Sequence, residues 1–202
     1  MNTIVITAIE KEGNNIGDYA YFCIESWQNW CNKNNVTLQV IKEDEFIHPK
    51  FAFLSIFEKF NADKIIHVDL DTLIHPKTPN LFELYNDTFT VVKDSGKIDY
   101  KISPRMTRGV DSFESIFDSF NIDKSKYFNS GMMMFNKSHS TFLKESKNWI
   151  ETNYDKIEKW SSAGDTGLDQ TPFNWLVQKH NIETKFLDML NIYSTRATGS
   201  IA

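Results

Sequence analysis

The feature that most constrains the fold is a short apolar run that ends in two closely spaced acids. Residues 64–68 (KIIHV) are rich in β-branched side chains and predict a buried strand. Asp69 and Asp71 follow this run at once, and residues two apart on a strand project to the same face. Ligands of an α/β sheet gather at the carboxyl ends of its strands. The two carboxylates are therefore predicted to converge on one hard cation at that edge.

Strand-like runs and helical repeats alternate along the chain. Apolar runs predict strands at 3–8, 36–41, 64–68, 89–92 and 127–135. Apolar residues at helical spacing predict helices at 18–31, 51–60, 138–160 and 169–180. This alternation predicts an α/β fold with a mostly parallel central sheet flanked by helices. A length of 202 residues suits a single domain over 1–202.

The stretch 95–109 is the least regular part of the chain. It contains two glycines, one proline and four basic residues, Lys97, Lys101, Arg105 and Arg108. This composition is typical of a mobile surface loop rather than of a linker between domains. Its positive charge would suit a loop that partly covers an anionic ligand.

Charge and hydropathy exclude two classes of partner. The formal net charge of -5 argues against a broad nucleic-acid surface, because phosphate backbones are held mainly by Lys and Arg. No stretch approaches the roughly 20 apolar residues of a membrane span, and the first residues lack the layout of a signal peptide. We therefore expect a cytoplasmic protein with no nucleic-acid partner and no membrane span. Nothing in the sequence indicates its oligomeric state.

The two cysteines are predicted to be core or near-core thiols. Cys23 and Cys31 lie eight positions apart on one predicted helix. At about 1.5 Å of rise per residue their backbones would be about 12 Å apart, too far for a disulfide.

The Asp-x-Asp pair alone admits other interpretations. Two acids at a strand end are often solvated or cap the following turn. Phosphatases of the haloacid dehalogenase type also place Asp-x-Asp after an apolar strand. In that class Gly-Thr follows and the strand usually opens the fold, whereas here Thr72 and Leu73 follow Asp71 and four predicted elements precede the pair. These differences disfavour the phosphatase.

Four segments, in the same order and at similar spacing, resemble glycosyltransferase family 8, the family of glycogenin and the bacterial lipopolysaccharide galactosyltransferases. DKIIHVDLDTLI, from Asp63, is similar to the family pattern "dkvlYlDaDtlv". YFNSGMMMFN, from Tyr127, is similar to "yFNaGvmliN", and Asp169-Gln170 with Asn174 to "DQdvlN". Thr7-Ala8 and the later segment at 18–20 resemble the strand end and "nYa" helix start that hold a nucleotide base. Together they cover roughly residues 3–180.

The resemblance implies a GT-A fold and a metal-dependent glycosyltransferase. The reaction would move a hexosyl group from a UDP-sugar donor to an acceptor hydroxyl, with retention of the anomeric configuration. Asp69 and Asp71 would hold Mn²⁺ or Mg²⁺ on the donor diphosphate, and oxygen-only ligation suits either ion. The acceptor, a glycan, lipid or protein, and the identity of the sugar are not readable from the sequence.

Three residues are candidates for the catalytic edge. The resemblance implies that Asp169 and Gln170 lie beside the sugar and the acceptor. It also places Asp94 at the end of a strand, where the family often has an acid. An N-terminal cap of the helix would explain Asp169 equally well. Capping of a loop is the corresponding alternative for Asp94. Retention needs either a carboxylate nucleophile or a front-face path guided by the leaving phosphate, and the sequence does not choose between them.

The donor-binding candidates are six residues with different expected contacts: Thr7, Ala8, Tyr19, Lys50, Asn129 and Gly131. Tyr19 could stack on a uracil, which would contribute about 1–3 kcal/mol, or pack on the core. Thr7 and Ala8 would offer free backbone groups at a strand end, unless the strand simply terminates there. Lys50 would offer a point charge to the diphosphate, or lie solvated on the surface. In the segment of Asn129, a glycine at position 131 permits close approach of a ligand.

The resemblance fails at the C-terminus. The family usually carries a His-x-x-Gly segment followed by Lys-Pro-Trp beyond the last helix, and its His is the third metal ligand. Here no His follows His180, and the sequence ends STRATGSIA. We therefore expect a truncated or reduced donor site with residues 194–202 beside it. A non-catalytic nucleotide-sugar binding protein of the same fold is the alternative.

Overall fold

The computed structural model describes residues 1–9, 17, 19–42, 45–85, 88–94, 103–117, 120–164 and 167–187. Six strands form one sheet in the order β2-β1-β3-β5-β4-β6. They are β1 Asn2–Thr7, β2 Thr37–Ile41, β3 Lys64–Val68, β4 Phe89–Lys93, β5 Phe128–Asn136 and β6 Thr184–Phe186. Strand β5 is antiparallel to both of its neighbours, β3 and β4, while every other neighbouring pair is parallel. The mostly parallel central sheet is confirmed.

Helices cover both faces of this sheet. They are α1 Tyr19–Asn34, α2 Ile56–Lys59, α3 Leu81–Leu84, α4 Pro104–Phe117, α5 Ser140–Gly164 and α6 Gln170–Lys179. Short 3₁₀ turns lie at Pro49–Ser55, Lys124–Lys126 and Lys137–His139. In the described ranges, every helix is too short or too polar to cross a membrane.

The core consists of two apolar layers because successive strand side chains point to opposite faces. On one face Ile66 and Met134 pack with the α1 tryptophans Trp27 and Trp30. On the other face the strands pack against an aromatic group that includes Phe53, Phe89, Phe113, Phe135 and Phe173. Cys23 and Cys31 are both buried and unpaired, which confirms the expectation of core thiols.

The expected loop at 95–109 is wrong over its second half. Residues 95–102 lie outside the described part of the chain, but α4 begins at Pro104 and continues to Phe117. The Ser103 hydroxyl accepts a hydrogen bond from the Met106 N–H at 3.2 Å, as an N-cap does, and proline is favoured at the first helical position. This Ser-Pro signal outweighs the basic, glycine-containing composition of the segment.

Three further elements differ from the sequence prediction. The helix expected at 51–60 is a 3₁₀ turn, Pro49–Ser55, followed by the single turn α2. The long helix α5 begins at Ser140, after a 3₁₀ turn, rather than at position 138. Strand β6 was not expected, because it has only three residues and owes its place to pairing with β4.

Candidate active site

The two aspartates of the Asp-x-Asp pair lie in a turn at the carboxyl end of β3. We call residues 69–74 the aspartate turn. The Asp69 N–H donates to the Gly131 carbonyl on β5 at 2.8 Å, and the Asp69 carbonyl accepts from the Thr72 N–H at 3.1 Å. The side chains of Asp69 and Asp71 are both exposed. The backbone is therefore fixed to the sheet while the carboxylates reach the surface.

Helix α1 anchors the aspartate turn from beneath. The indole N–H of Trp27 donates to the Thr72 carbonyl at 3.0 Å, and that of Trp30 donates to the Thr78 carbonyl at 3.0 Å. The Ser26 hydroxyl accepts from the Ile74 N–H at 3.4 Å. A buried indole N–H needs a hydrogen-bond partner, so two tryptophans on one apolar helix face were a signal that sequence reasoning missed.

A glycine on β5 makes room for the Asp69 carboxylate. A Cβ atom on Gly131 would lie 2.9 Å from Asp69 Oδ2 and 2.8 Å from Asn129 Oδ1. Any other residue would therefore push the carboxylate or the amide away. The close approach expected at Gly131 exists, and it is made by a protein carboxylate.

The aspartate turn suits a hard divalent cation. Carboxylate oxygens are preferred ligands of such ions, and the space above Gly131 leaves Asp69 room. Burial, and the negative charge of Asp71 nearby, raise the pKa of the Cys23 thiol, which keeps that sulfur neutral. Within the described residues, His, Cys, Asp and Glu side chains form no group of three or more that could hold a metal. An ion held by Asp69 and Asp71 would take its remaining oxygens from ligand and water.

A second group of polar side chains lies beside the aspartate turn. We call Asp94, Asn129, Ser130, Asp169 and Gln170 the carboxylate–amide network. The Gln170 Nε2 donates to Asp94 Oδ2 at 2.8 Å, and its Oε1 accepts from Asn129 Nδ2 at 3.3 Å and from the Ser130 N–H at 3.4 Å. A carboxylate only accepts, so the amide nitrogen must face Asp94. Both ends of the Gln170 amide are thus engaged.

Asp169 occupies the N-cap position of α6 without capping it. Its φ of -96° and ψ of -38° are helical, and its side chain makes no capping hydrogen bond. Its Oδ2 instead accepts a 2.6 Å hydrogen bond from the Ser130 hydroxyl. The capping interpretation of Asp169 is therefore wrong, and the carboxylate belongs to the network.

Buried polar contacts beneath the network join β5 to α6. The Asn174 Oδ1 accepts from the Phe128 N–H at 2.9 Å, and its Nδ2 donates to the carbonyls of Phe128 and Gln170, each at 2.9 Å. The Tyr127 and Thr171 hydroxyls share a 2.7 Å hydrogen bond. Burial raises the pKa of Tyr127 far above its ordinary value, so the phenol stays neutral. The Tyr127–Thr171 pair was not predicted from the sequence. The one signal for this pair was the presence of polar residues on a fully buried face of a helix.

Two of the donor-binding candidates are already engaged within the sheet. The Ala8 N–H donates to the Ile41 carbonyl at 2.8 Å, so it is not the free group that was expected. The Thr7 hydroxyl is 3.1 Å from His67 Nε2. Burial lowers the pKa of His67 to about 4, which keeps this core imidazole neutral.

Tyr19 and Lys50 are both exposed. Tyr19 is the first residue of α1, and 51% of it is accessible to solvent. Its ring lies over Gly17, where an added Cβ would be 2.7 Å from the ring. Packing of Tyr19 into the core is therefore wrong. Among the described residues, no hydrogen bond connects Thr7, Ala8, Tyr19 or Lys50 to the carboxylate–amide network.

Comparison with known proteins gives one family and a shared fold. The model of glycosyl transferase family 8 matches residues 5–188. A glycosyltransferase involved in glycosylation of the major capsid of PBCV-1 superposes with a TM-score of 0.51 at 13% identity, covering 93% of this chain and 82% of that one. The apo-form glycosyltransferase GlyE of Streptococcus pneumoniae TIGR4 gives a TM-score of 0.51 at 15% identity. That match covers 93% of this chain but 45% of GlyE. No curated protein sequence matches significantly.

Proposed function

The chain belongs to glycosyl transferase family 8, and on that premise we propose that it moves a hexosyl group from a UDP-sugar to an acceptor hydroxyl with retention. One observation carries the proposal, namely the hydrogen-bonded continuity between the aspartate turn and the carboxylate–amide network. Asp69 bonds to Gly131, Gly131 to the Asn129 side chain, and Asn129 to Gln170. A cation site and a sugar-facing acid edge thus share one rigid frame, as glycosyl transfer requires.

The aspartate turn would serve the leaving group. Asp69 and Asp71 would hold Mn²⁺ or Mg²⁺, which when bound supplies positive charge against the donor diphosphate. Tyr19 would lay its exposed ring on the uracil, with Thr7 and the Ala8 carbonyl at the edge of the base. Lys50 would offer its ammonium group to the phosphates. The acceptor, a glycan, lipid or protein, enters from the side of the network.

Within the network the two acids and the amide take different roles. Gln170 is 7% exposed and its amide is engaged at both ends, which supports a positioning role in place of direct attack on the sugar. One oxygen of Asp94 is held by Gln170 and one oxygen of Asp169 by Ser130. Among the described residues, no hydrogen bond engages the other oxygen of either carboxylate, so that oxygen is left for the sugar or the acceptor. Asp94 and Asp169 are therefore the groups that would stabilise positive charge at the anomeric carbon.

The first test measures UDP binding and UDP release. Wild-type protein with Mn²⁺ is assayed against a panel of UDP-sugars, beside Asp69→Asn/Asp71→Asn and the exposed-helix control Asp155→Asn. Changes around metal ligands cost about 10- to 100-fold in affinity, so loss of both ligands should weaken Mn²⁺-dependent UDP binding more than about 100-fold. The fold should be unchanged, because exposed acids contribute little to the core.

Each outcome of this test supports or contradicts a different part of the proposal. Wild-type UDP affinity in the double variant would show that the metal lies elsewhere. Affinity without UDP release from any donor, with or without acceptors, would identify a nucleotide-sugar binding protein. Calorimetry of Mn²⁺ without UDP should give weak binding. Tight binding there would show a complete set of protein ligands and overturn the two-carboxylate site.

A further inference from the structure

We propose that Ser130 is a positioning residue, which turns the Asp169 carboxylate away from its own helix and holds it toward the sugar. The proposal rests on the function proposed above. It concerns a hydroxyl at a position where the family pattern has a small residue, written "a" in "yFNaG". The Ser130 side chain is 7% exposed, and its hydroxyl lies 2.6 Å from Asp169 Oδ2.

Two groups compete for the Asp169 carboxylate, the N-terminus of its own helix and the Ser130 hydroxyl. An aspartate at an N-cap position ordinarily accepts a hydrogen bond from the free N–H groups of the first helical turn. Here it accepts none of these and bonds to Ser130 on the neighbouring strand. A hydroxyl-to-carboxylate bond is charge-assisted, and a length of 2.6 Å is typical of that stronger class. Ser130 therefore outcompetes the helix end for this side chain.

The position of Ser130 links that bond to the rest of the site. Three successive residues of β5 each hold a different partner. Asn129 donates to Gln170, Ser130 donates to Asp169, and the Gly131 carbonyl accepts from the Asp69 N–H. The strand thus sets the distance between the aspartate turn and the Asp169 carboxylate. Loss of the Ser130 hydroxyl would release the carboxylate at one point while leaving the other two contacts in place.

The consequence is specific. In Ser130→Ala the Asp169 carboxylate is free to rotate onto the N-terminus of α6, as its residue type prefers. The sugar-facing group would then be lost although the residue is still present. A hydrogen bond to a charged group is stronger than one between neutral groups, so the loss of this one should lower kcat about tenfold. The UDP affinity and the KM for the donor should change less than about twofold, because Ser130 lies outside the aspartate turn and the base-binding candidates.

The test is a double-mutant cycle with Ser130→Ala, Asp169→Asn and the combination, measured as UDP release and acceptor glycosylation. If Ser130 acts through Asp169, its loss has no further effect on kcat in the Asp169→Asn background. The matched control is Ser146→Ala on α5. That serine is equally buried, and its hydroxyl has no hydrogen-bond partner among the described residues, so kcat should not change.

The wild type, the two single variants and the double variant are also unfolded in urea. Their free energies of unfolding report the Ser130–Asp169 bond without requiring turnover. Coupling in both stability and kcat supports the proposal. Additive effects on kcat in an active protein overturn the role of Ser130 and leave the proposed function standing. Coupling in stability alone also overturns it, because the bond would then be structural only. A wild type that turns over no UDP-sugar overturns the proposed function itself, and the catalytic role of Ser130 with it.

Discussion

The aspartate turn and the carboxylate–amide network lie on the same edge of the sheet, but different groups hold them. Indole, hydroxyl and backbone groups beneath its surface fix the aspartate turn through its backbone N–H and carbonyl groups, and its own carboxylates reach solvent. The network is held by its functional side chains themselves, which bond to one another and to the backbone of β5. The first region separates the groups that bind ligand from the groups that hold the backbone. In the second region the same side chains do both.

This difference predicts which properties of the protein a substitution in each region should change. A change in an exposed side chain of the first region should alter ligand binding and leave the fold intact. A change within or beneath the second region should alter stability and turnover together, because the support and the site are continuous. Three substitutions, given in order of decreasing expected effect, test this contrast.

The largest effect is expected from Asn174→Ala, beneath the network. It removes three hydrogen bonds and leaves the buried N–H and carbonyl of Phe128 without their partner. At about 1–3 kcal/mol for each unsatisfied group, the free energy of unfolding should fall by about 2–5 kcal/mol. The start of α6 would lose its buried Asn174 contact with Phe128 of β5, so kcat should fall about 10- to 100-fold. Urea denaturation and steady-state kinetics measure the two effects.

The matched control for that variant is Asn153→Ala. Its side chain donates a single hydrogen bond, to the Trp149 carbonyl on the half-buried face of α5. Less than about 1 kcal/mol of stability and no turnover should be lost. If Asn174→Ala lowered stability but left kcat unchanged, the network would not depend on the contact between β5 and α6, and the contrast between the two regions would fail.

The sequence predicts the two regions unequally well. The aspartate turn follows from local pattern, because a β-branched strand followed by Asp-x-Asp fixes both the element and the side chains. The network joins the end of β4, the antiparallel strand β5 and the start of α6, which lie far apart in the chain. Resemblance pointed to Asp94, Asn129, Asp169 and Gln170, but it identified neither Ser130 nor the partner of each side chain. No local sequence pattern predicts that the Asp169 carboxylate bonds to Ser130 rather than to the N-terminus of α6, because that choice depends on how β5 and α6 pack together.

The fold shows the same division. Strands β1, β3 and β5 and helices α1 and α6 carry strong periodic patterns, and each of their predicted ends lies within three residues of the observed end. The three residues of β6 form a strand only because β4 offers an edge. Helix α4 was missed although Ser103 and Pro104 mark its start, because the basic, glycine-containing composition around them was given more weight.

An intermediate effect is expected from Tyr19→Ala, at the exposed start of α1, the helix that anchors the aspartate turn. If the exposed ring stacks on the base, its loss removes binding shared by ground and transition states. A stacked base is worth about 1–3 kcal/mol, so the KM for the donor should rise at least about 5-fold with kcat and stability nearly unchanged. Tyr21→Ala is the control, since Tyr21 is more exposed and lies in the same turn of α1. Equal effects from both tyrosines, or an unchanged KM, would remove Tyr19 from the donor site.

The smallest effect is expected from Trp27→Phe, which alters the anchor of the aspartate turn. The ring volume is largely kept, but the Thr72 carbonyl loses its buried indole donor. A typical neutral hydrogen bond contributes about 0.5–1.5 kcal/mol, and the turn also keeps the Asp69 bonds to Gly131 and Thr72. We therefore expect a loss of about 1 kcal/mol beyond that caused by the change in volume. Mn²⁺-dependent UDP binding should weaken only a few-fold, about twofold to fivefold.

Trp175→Phe separates the hydrogen bond from the change in ring size. Trp175 is as buried as Trp27, and its indole N–H has no hydrogen-bond partner among the described residues. Both variants lose the same ring atoms, so their difference in unfolding free energy reports the bond to Thr72. Mn²⁺-dependent UDP binding is then measured by calorimetry in both. If Trp27→Phe abolished binding while Trp175→Phe preserved it, a single buried donor would control the aspartate turn, and that turn would depend on its support as closely as the network does.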